Sequence, residues 1–141
     1  TIEEIVALAI LMPIVASMGG IAGTQTATIV IRALATGKLG SKNSRKLILK
    51  ETAVGGFNGL FWASMTGIAA WLWFQQAILG GIFAAAMLIN LVAASLAGAL
   101  IPLILQRMKI DPALASGLML TTVTDSLGFF VFLGLATVIL I

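Results

Sequence analysis

Residues 112–140 read PALASGLMLTTVTDSLGFFVFLGLATVIL, and this stretch decides the class of fold. A helix needs about 20 mainly apolar residues to cross a bilayer. The stretch exceeds that length, and Asp125 is its one charged side chain. A carboxylate near the centre of a bilayer costs about 2.5–3.5 kcal/mol on insertion scales. We therefore expect Asp125 to face a cavity, a partner or an ion.

The composition of the whole chain also indicates a membrane protein. Of 141 residues, 60% are hydrophobic and 9% are charged, whereas soluble domains are about 45–50% apolar and about 25% charged. So few charges cannot cover a water-facing surface, and we expect an all-α, polytopic membrane protein. The basic residues flank the membrane-length segments, which argues against a nucleic-acid partner. The chain has no Cys and no His, so it lacks thiolate ligands and the commonest general base.

Four segments are long enough to span a bilayer, which predicts a bundle of four transmembrane helices per chain. They cover residues 5–35, 47–74, 78–105 and 112–140. The chain begins at Thr1, and its first apolar run has neither a basic n-region nor a small-residue cleavage site. We therefore expect residues 1–141 to form a single transmembrane domain, as a fragment of a longer protein.

The Lys and Arg residues gather at two of the three connections between these segments. They are Arg32, Lys38, Lys42, Arg45, Lys46, Lys50, Arg107 and Lys109. Lys and Arg accumulate in cytoplasmic loops, so we expect both basic connections in the cytoplasm and both termini outside. Trp71 and Trp73 would then lie in an outer aromatic belt. The expected location is the plasma (inner) membrane.

Small residues recur every four positions in three of the segments. Gly20, Thr24 and Thr28 form a stripe that is either a packing face or a pore lining with hydroxyls available to an ion, and the spacing favours neither. In the second and third segments the same spacing favours close helix packing. Those positions are Gly55, Gly59, Ala63 and Gly67, followed by Ala86, Asn90, Ala94, Gly98 and Pro102.

The sequence predicts structural roles for several polar residues. Asn58 and Asn90 are expected to form interhelical hydrogen bonds. Glu51 is expected to be neutralised by its basic neighbours, with a cation-attracting mouth as the alternative. Asp111 is expected to cap the fourth helix, with Pro112 at its first position.

Gly117, Thr121, Asp125 and Gly128 share one face of the fourth helix. A lone carboxylate without a His is a poor basis for an enzyme, so neither enzymatic activity nor a cofactor is expected. Oxygen ligands suit Mg²⁺, which keeps several waters and binds through one or two carboxylates. One Asp offsets half of a divalent charge, so an ion path also predicts a homodimer. A proton-relay carboxylate and an Asp that hydrogen-bonds a neighbouring helix remain alternatives.

The motifs resemble a known family. Residues 13–28, PIVASMGGIAGTQTAT, with RALATG at 32–37, are similar to the second transmembrane helix of the MgtE magnesium channels and transporters. LKE at 49–51 resembles the start of their third helix. DPALASG at 111–117 and TTVTDSLG at 121–128 resemble their fifth. The likeness runs through the whole chain in order. Ile21 stands where the family usually has an amide.

The resemblance implies a homodimeric Mg²⁺ pathway lined by the first and fourth helices of this chain. It implies that Asp125 binds the hydrated ion and that the backbone carbonyl of Thr121 helps to hold it. The pore-lining candidates are Gly20, Thr24, Thr28, Gly117 and Gly128. Compared with the family, the first transmembrane helix and the cytoplasmic domains are absent from this sequence. A proton- or sodium-coupled carrier and a noncatalytic membrane assembly subunit are the alternative functions.

Overall fold

The computed structural model describes residues 2–37 and 41–140, and across these ranges the regular structure is four α-helices. They are α1 (Ile2–Ala35), α2 (Ser41–Phe74), α3 (Ala77–Arg107) and α4 (Pro112–Leu140). The all-α prediction is confirmed. Helix α2 begins six residues before the predicted segment 47–74, because its helical backbone continues into the basic stretch. Residues 38–40 of the predicted cytoplasmic connection lie outside the described residues.

Three of these helices are long and apolar enough to cross a membrane. They are Ile5–Ala35 and Ala77–Arg107, each with a mean hydropathy of 2.3, and Pro112–Leu140, with 2.0. Helix α2 is 34 residues long, but Asn58, several glycines and three tryptophans lower its hydropathy. Length and composition therefore support three of the four predicted spans directly.

Helix α3 is the centre of the bundle, and it packs against each of the other three helices. Helix α1 runs parallel to α3, since Gly19 lies against Asn90 and Gly23 lies against Gly98. Helices α2 and α4 run antiparallel to α3. Helix α2 barely touches α1, and among the described residues it does not contact α4. The chain therefore places α2 and α4 on opposite sides of the α1–α3 pair.

The predicted packing of α2 on α3 through small residues is confirmed. Gly55, Gly59, Ala63 and Gly67 are all buried. A Cβ atom on Gly67 would lie 2.8 Å from the Cβ of Ala84 and 3.1 Å from the carbonyl oxygen of Gly80. Only residues without bulk at these positions allow the two backbones to approach so closely.

Asn90 joins α1, α3 and α4 at the middle of the bundle. Its side chain is fully buried, and Nδ2 donates a hydrogen bond to the carbonyl oxygen of Val15 at 2.9 Å. Gly19 and Gly128 lie against the same amide, and a Cβ atom on Gly128 would be 3.0 Å from Nδ2. The interhelical hydrogen bond predicted for Asn90 is confirmed.

The basic residues collect at one end of the bundle. The antiparallel arrangement brings the end of α1, the start of α2, the end of α3 and the start of α4 together there. Helix α4 begins as predicted, at Pro112, where Oδ1 of Asp111 accepts a hydrogen bond from the backbone N–H of Ala113 at 3.0 Å. Such a cap satisfies one of the free N–H groups at a helix start.

Candidate functional site

The two threonines of the Gly20, Thr24 and Thr28 stripe of α1 are not packed against another described helix. Gly20 is half-buried, and both threonines are exposed. Oγ1 of Thr24 donates to the carbonyl oxygen of Gly20, and Oγ1 of Thr28 donates to that of Thr24, each at 2.8 Å. A hydroxyl has one proton and two acceptor lone pairs. With the proton directed into the backbone, these oxygens present acceptors outward, and a cation or its waters can use them.

The predicted face of α4 divides into an exposed part and a packed part. Gly117 and Thr121 are exposed and Asp125 is half-buried. A Cβ atom on Gly117 would meet no atom within 4 Å. Gly128, by contrast, is buried, and a Cβ atom there would lie 3.4 Å from the Cα of Ala16. The structure thus places Gly128 in the contact between α1 and α4, whereas Gly117 and Thr121 remain open.

The polar positions of α1 and α4 lie at the same level of the bundle. A Cβ atom on Gly20 would lie 3.8 Å from Oγ1 of Thr124, the residue before Asp125. About one turn of α4 towards the basic end, Leu120 packs against Gly23. The antiparallel contact of the two helices therefore places the Gly20 end of the α1 stripe beside the α4 segment that carries Asp125.

The surroundings of Asp125 leave its carboxylate available. Within the part of the chain that the structure describes, Asp125 forms neither a hydrogen bond nor an ion pair. Its neighbour Thr124 is buried and donates from Oγ1 to the carbonyl oxygen of Thr121 at 3.2 Å. Because that carbonyl also accepts the helical N–H four residues later, both of its lone pairs are engaged. A hydrated ion would therefore reach this carbonyl only in place of the Thr124 hydroxyl.

A single chain offers little negative charge for a divalent ion. Among residues 2–37 and 41–140, no group of three or more His, Cys, Asp or Glu side chains could hold a metal ion. A divalent cation at Asp125 therefore depends on water, on neutral oxygens and on charge from outside the chain.

Two expectations for α2 do not match the structure. Asn58 is exposed and forms no hydrogen bond among the described residues, because its amide borders a cavity between α1, α2 and α3 instead of packing against a polar group. Glu51 is only 7% exposed, and it forms no ion pair within the same part of the chain. Lys50 and Lys46 are exposed, and their spacings of one and five residues point them away from Glu51. Those spacings were the signal that sequence reasoning missed.

Comparison with known proteins decides the family. The chain matches the MgtE family model, described as a divalent cation transporter, over residues 12–135. This range covers most of the chain. The chain belongs to the MgtE family of divalent cation transporters.

Individual MgtE relatives show the same likeness. The chain is 35% identical over 136 residues to the magnesium transporter MgtE of Bacillus subtilis and 34% identical over 139 residues to that of Thermus thermophilus. Identity to the magnesium transporter MgtE of Enterococcus faecalis is 31% over 136 residues. These matches cover 96%, 99% and 96% of this chain but 30%, 31% and 30% of the relatives. The chain thus spans about a third of their length.

The match confirms the resemblance inferred from the motifs. It also agrees with the expectation of a transporter rather than an enzyme, since the relatives are named as transporters. Together with the three long apolar helices, it indicates that this MgtE chain is an integral membrane protein.

Proposed function

We propose that the chain forms the transmembrane pathway for Mg²⁺ in a homodimer, with the exposed face of α1 and α4 lining it. The observation that carries the proposal is the exposure of Thr24, Thr28, Gly117 and Thr121 within one chain. Polar and small residues in a membrane helix face a cavity or a partner rather than lipid. Since no other helix in residues 2–37 and 41–140 covers this surface, a second copy and a water-filled path are its natural surroundings.

Charge supports the role of Asp125 in this pathway. Its carboxylate is half-buried and free of hydrogen bonds among the described residues. Mg²⁺ gives up its waters reluctantly and binds through one or two carboxylates. Two copies of Asp125 near a two-fold axis would balance the divalent charge. We place the hydroxyls of Thr24 and Thr121 as oxygens that contact the waters of the ion, with Thr28 one turn farther along the path towards the basic end.

We propose that α2 is the fourth membrane span and that residues 1–141 act as one transmembrane domain. The outward side of α2 exposes large apolar side chains, such as Phe57, Phe61 and Trp73, which suit contact with lipid. The basic end of the bundle is assigned to the cytoplasm of a plasma (inner) membrane, which leaves both termini outside. The turn at Gln75 and Gln76 then lies outside as well.

The direct test is Mg²⁺ flux into reconstituted vesicles that contain the Asp125→Asn variant. We expect the variant to fold and insert, since it removes a costly charge at nearly constant volume. Flux should fall at least about tenfold, because an amide supplies no negative charge to a divalent ion. Glu3→Gln, which removes an exposed carboxylate at the far end of α1, is the control and should keep wild-type flux. Wild-type flux from inserted Asp125→Asn would refute the proposal.

A further inference from the structure

A second polar site lies between α1, α2 and α3, away from the Asp125 face. It is a partly open cavity of about 90 Å³, lined by polar side chains from all three helices and by apolar ones such as Ile29, Val54 and Leu91. The polar side chains are Gln25, Thr26, Glu51, Asn58 and Ser95. At roughly 30 Å³ for each water in the liquid, the cavity has room for an ion with a few waters.

Glu51 is the residue of this cavity that most favours a bound ion, because it carries the one charge of the lining and its carboxylate has no partner. The residue is only 7% exposed, and it forms no hydrogen bond or ion pair with any described group. Its neighbours at three and four positions along α2 are Ile48, Leu47, Val54 and Gly55, so no cation lies where a helix would pair it. A buried carboxylate without a partner is costly, and an occupant of the cavity would remove that cost.

The neutral groups around Glu51 are also unsatisfied. Thr26 and Ser95 are 5% and 2% exposed, and neither hydroxyl forms a hydrogen bond among the described residues. Gly55 also lines the cavity, and a Cβ atom there would run into the side chain of Ser95. Glycine at this position therefore lets the Ser95 hydroxyl approach the backbone of α2 beside Glu51. These groups line the cavity, so an occupant there can supply the partners that buried polar groups normally have.

The chemistry of the cavity identifies the class of occupant. Every polar side chain that lines it carries an oxygen, and among the described residues the lining includes no basic group. Oxygen donors of this kind suit hard cations. The net charge of the lining is that of one carboxylate, which a monovalent cation balances. A divalent cation would leave one positive charge uncompensated in an apolar setting.

We propose that this cavity is a binding site for a small monovalent cation such as Na⁺, held by Glu51 with Thr26 and Ser95. The site is separate from the Mg²⁺ pathway proposed above. Thr26 lies on the side of α1 away from Thr24 and Thr28, and α2 has no described contact with α4. The site also lies nearer the basic end than Asp125. Gly128 lies against Asn90, and towards the basic end Ser95 is five residues from Asn90, whereas Asp125 is three residues from Gly128.

The test is thermal unfolding of the purified chain in detergent, with NaCl exchanged against choline chloride at constant ionic strength. At a Na⁺ concentration about ten times the dissociation constant, we expect the midpoint of wild-type protein to rise by about 3 °C. Glu51→Gln should lose this Na⁺-specific rise and, without Na⁺, should unfold at a higher temperature than wild type. Ser95→Ala should keep the fold and reduce the rise.

Two further variants separate this site from the rest of the molecule. Glu3→Gln, which alters an exposed carboxylate, should keep the full Na⁺ response, and so should Asp125→Asn, whatever its effect on Mg²⁺ flux. The proposal is overturned if wild type shows no Na⁺-specific rise, or if Glu51→Gln keeps it. It is equally overturned if NaCl has no effect and the thermal midpoint of wild type, but not of Glu51→Gln, rises only with MgCl₂ or only at acid pH. The occupant would then be a divalent ion or a proton.

Discussion

The α2–α3 contact and the exposed face of α1 and α4 share one sequence pattern but have opposite environments. In both regions small residues recur every four positions. On α2 that row is buried against α3. A Cβ atom on Gly80 of α3 would lie 2.7 Å from the carbonyl oxygen of Gly67. On α4, by contrast, Gly117 has open space around it, and on α1 Thr24 and Thr28 are exposed.

The difference shows that small-residue spacing alone does not distinguish a packing face from a pathway. Both uses need residues without bulk, either for backbone approach or for water and ions. What separates them is whether the same chain supplies a covering helix. Helix α3 covers the α2 row, whereas the α1 and α4 positions lack such a cover within the described residues. Substitutions that add bulk should therefore act on folding in one region and on assembly or transport in the other.

The largest expected effect on stability comes from adding one methyl group to the α2–α3 contact. In Gly80→Ala the new Cβ would lie 2.7 Å from the carbonyl oxygen of Gly67 and 2.9 Å from the Cβ of Trp71. Backbone atoms cannot move away cheaply, so we expect a loss of about 2 kcal/mol in the free energy of unfolding. The measurement is denaturant unfolding of the chain in mixed micelles.

Gly81→Ala is the matched control, because a Cβ atom at Gly81 meets nothing within 4 Å. This variant should be neutral or gain up to about 1 kcal/mol, since alanine favours a helix more than glycine does. Equal stability of the two variants would show that the close approach of α2 and α3 is not a feature of the folded protein.

A smaller loss is expected at Asn90, where the packed and exposed regions meet. Asn90→Ala removes the hydrogen bond to the carbonyl of Val15, which in membrane proteins contributes roughly 0.6–2 kcal/mol. We expect a loss of about 1 kcal/mol in the free energy of unfolding, measured as above. Asn58→Ala changes an exposed amide without a hydrogen bond and should leave stability unchanged. A loss at Asn58 equal to that at Asn90 would contradict the assigned partners.

The smallest effect on folding is expected on the exposed face of α4. Gly117→Leu places a large side chain in open space, and leucine favours a helix more than glycine does, so the thermal midpoint of the monomeric chain should equal or slightly exceed that of wild type. If this face is the interface between two copies, the fraction of dimer recovered by chemical cross-linking should nevertheless fall. An unchanged dimer fraction would move the interface to another surface.

Much of the fold could be predicted from the sequence because its signals are local. The apolar segments predicted the helices, Asp111 and Pro112 predicted the start of α4, and the buried face of α3 followed from its spacing of four. The second segment was predicted as a span like the others, but the mean hydropathy of α2 is lower, since Asn58 and three tryptophans reduce an average that ignores which side of a helix is polar.

The site was less predictable, because it depends on which helices are neighbours. Spacing placed Gly128 with Thr121 and Asp125, yet the crossing of α1 and α4 buries Gly128 against Ala16. Spacing alone also did not distinguish a packing face from a pore lining for Gly20, Thr24 and Thr28, because that depends on which side of α1 packs against α3. The burial of Glu51 depends on three helices meeting around it, and no local pattern in α2 encodes that arrangement.

The central claim is that the exposed face of α1 and α4 lines a water-filled path, and single cysteines test it most directly. The chain has no Cys, so Thr121→Cys and Leu60→Cys each introduce the only thiol. Leu60 is exposed on α2, near the level of Asn90 but away from α4. In reconstituted vesicles, a hydrophilic thiol reagent should modify Thr121→Cys and block Mg²⁺ flux, while Leu60→Cys stays unreactive and active. Equal reactivity at both positions, or modification of Thr121→Cys without loss of flux, would contradict the account.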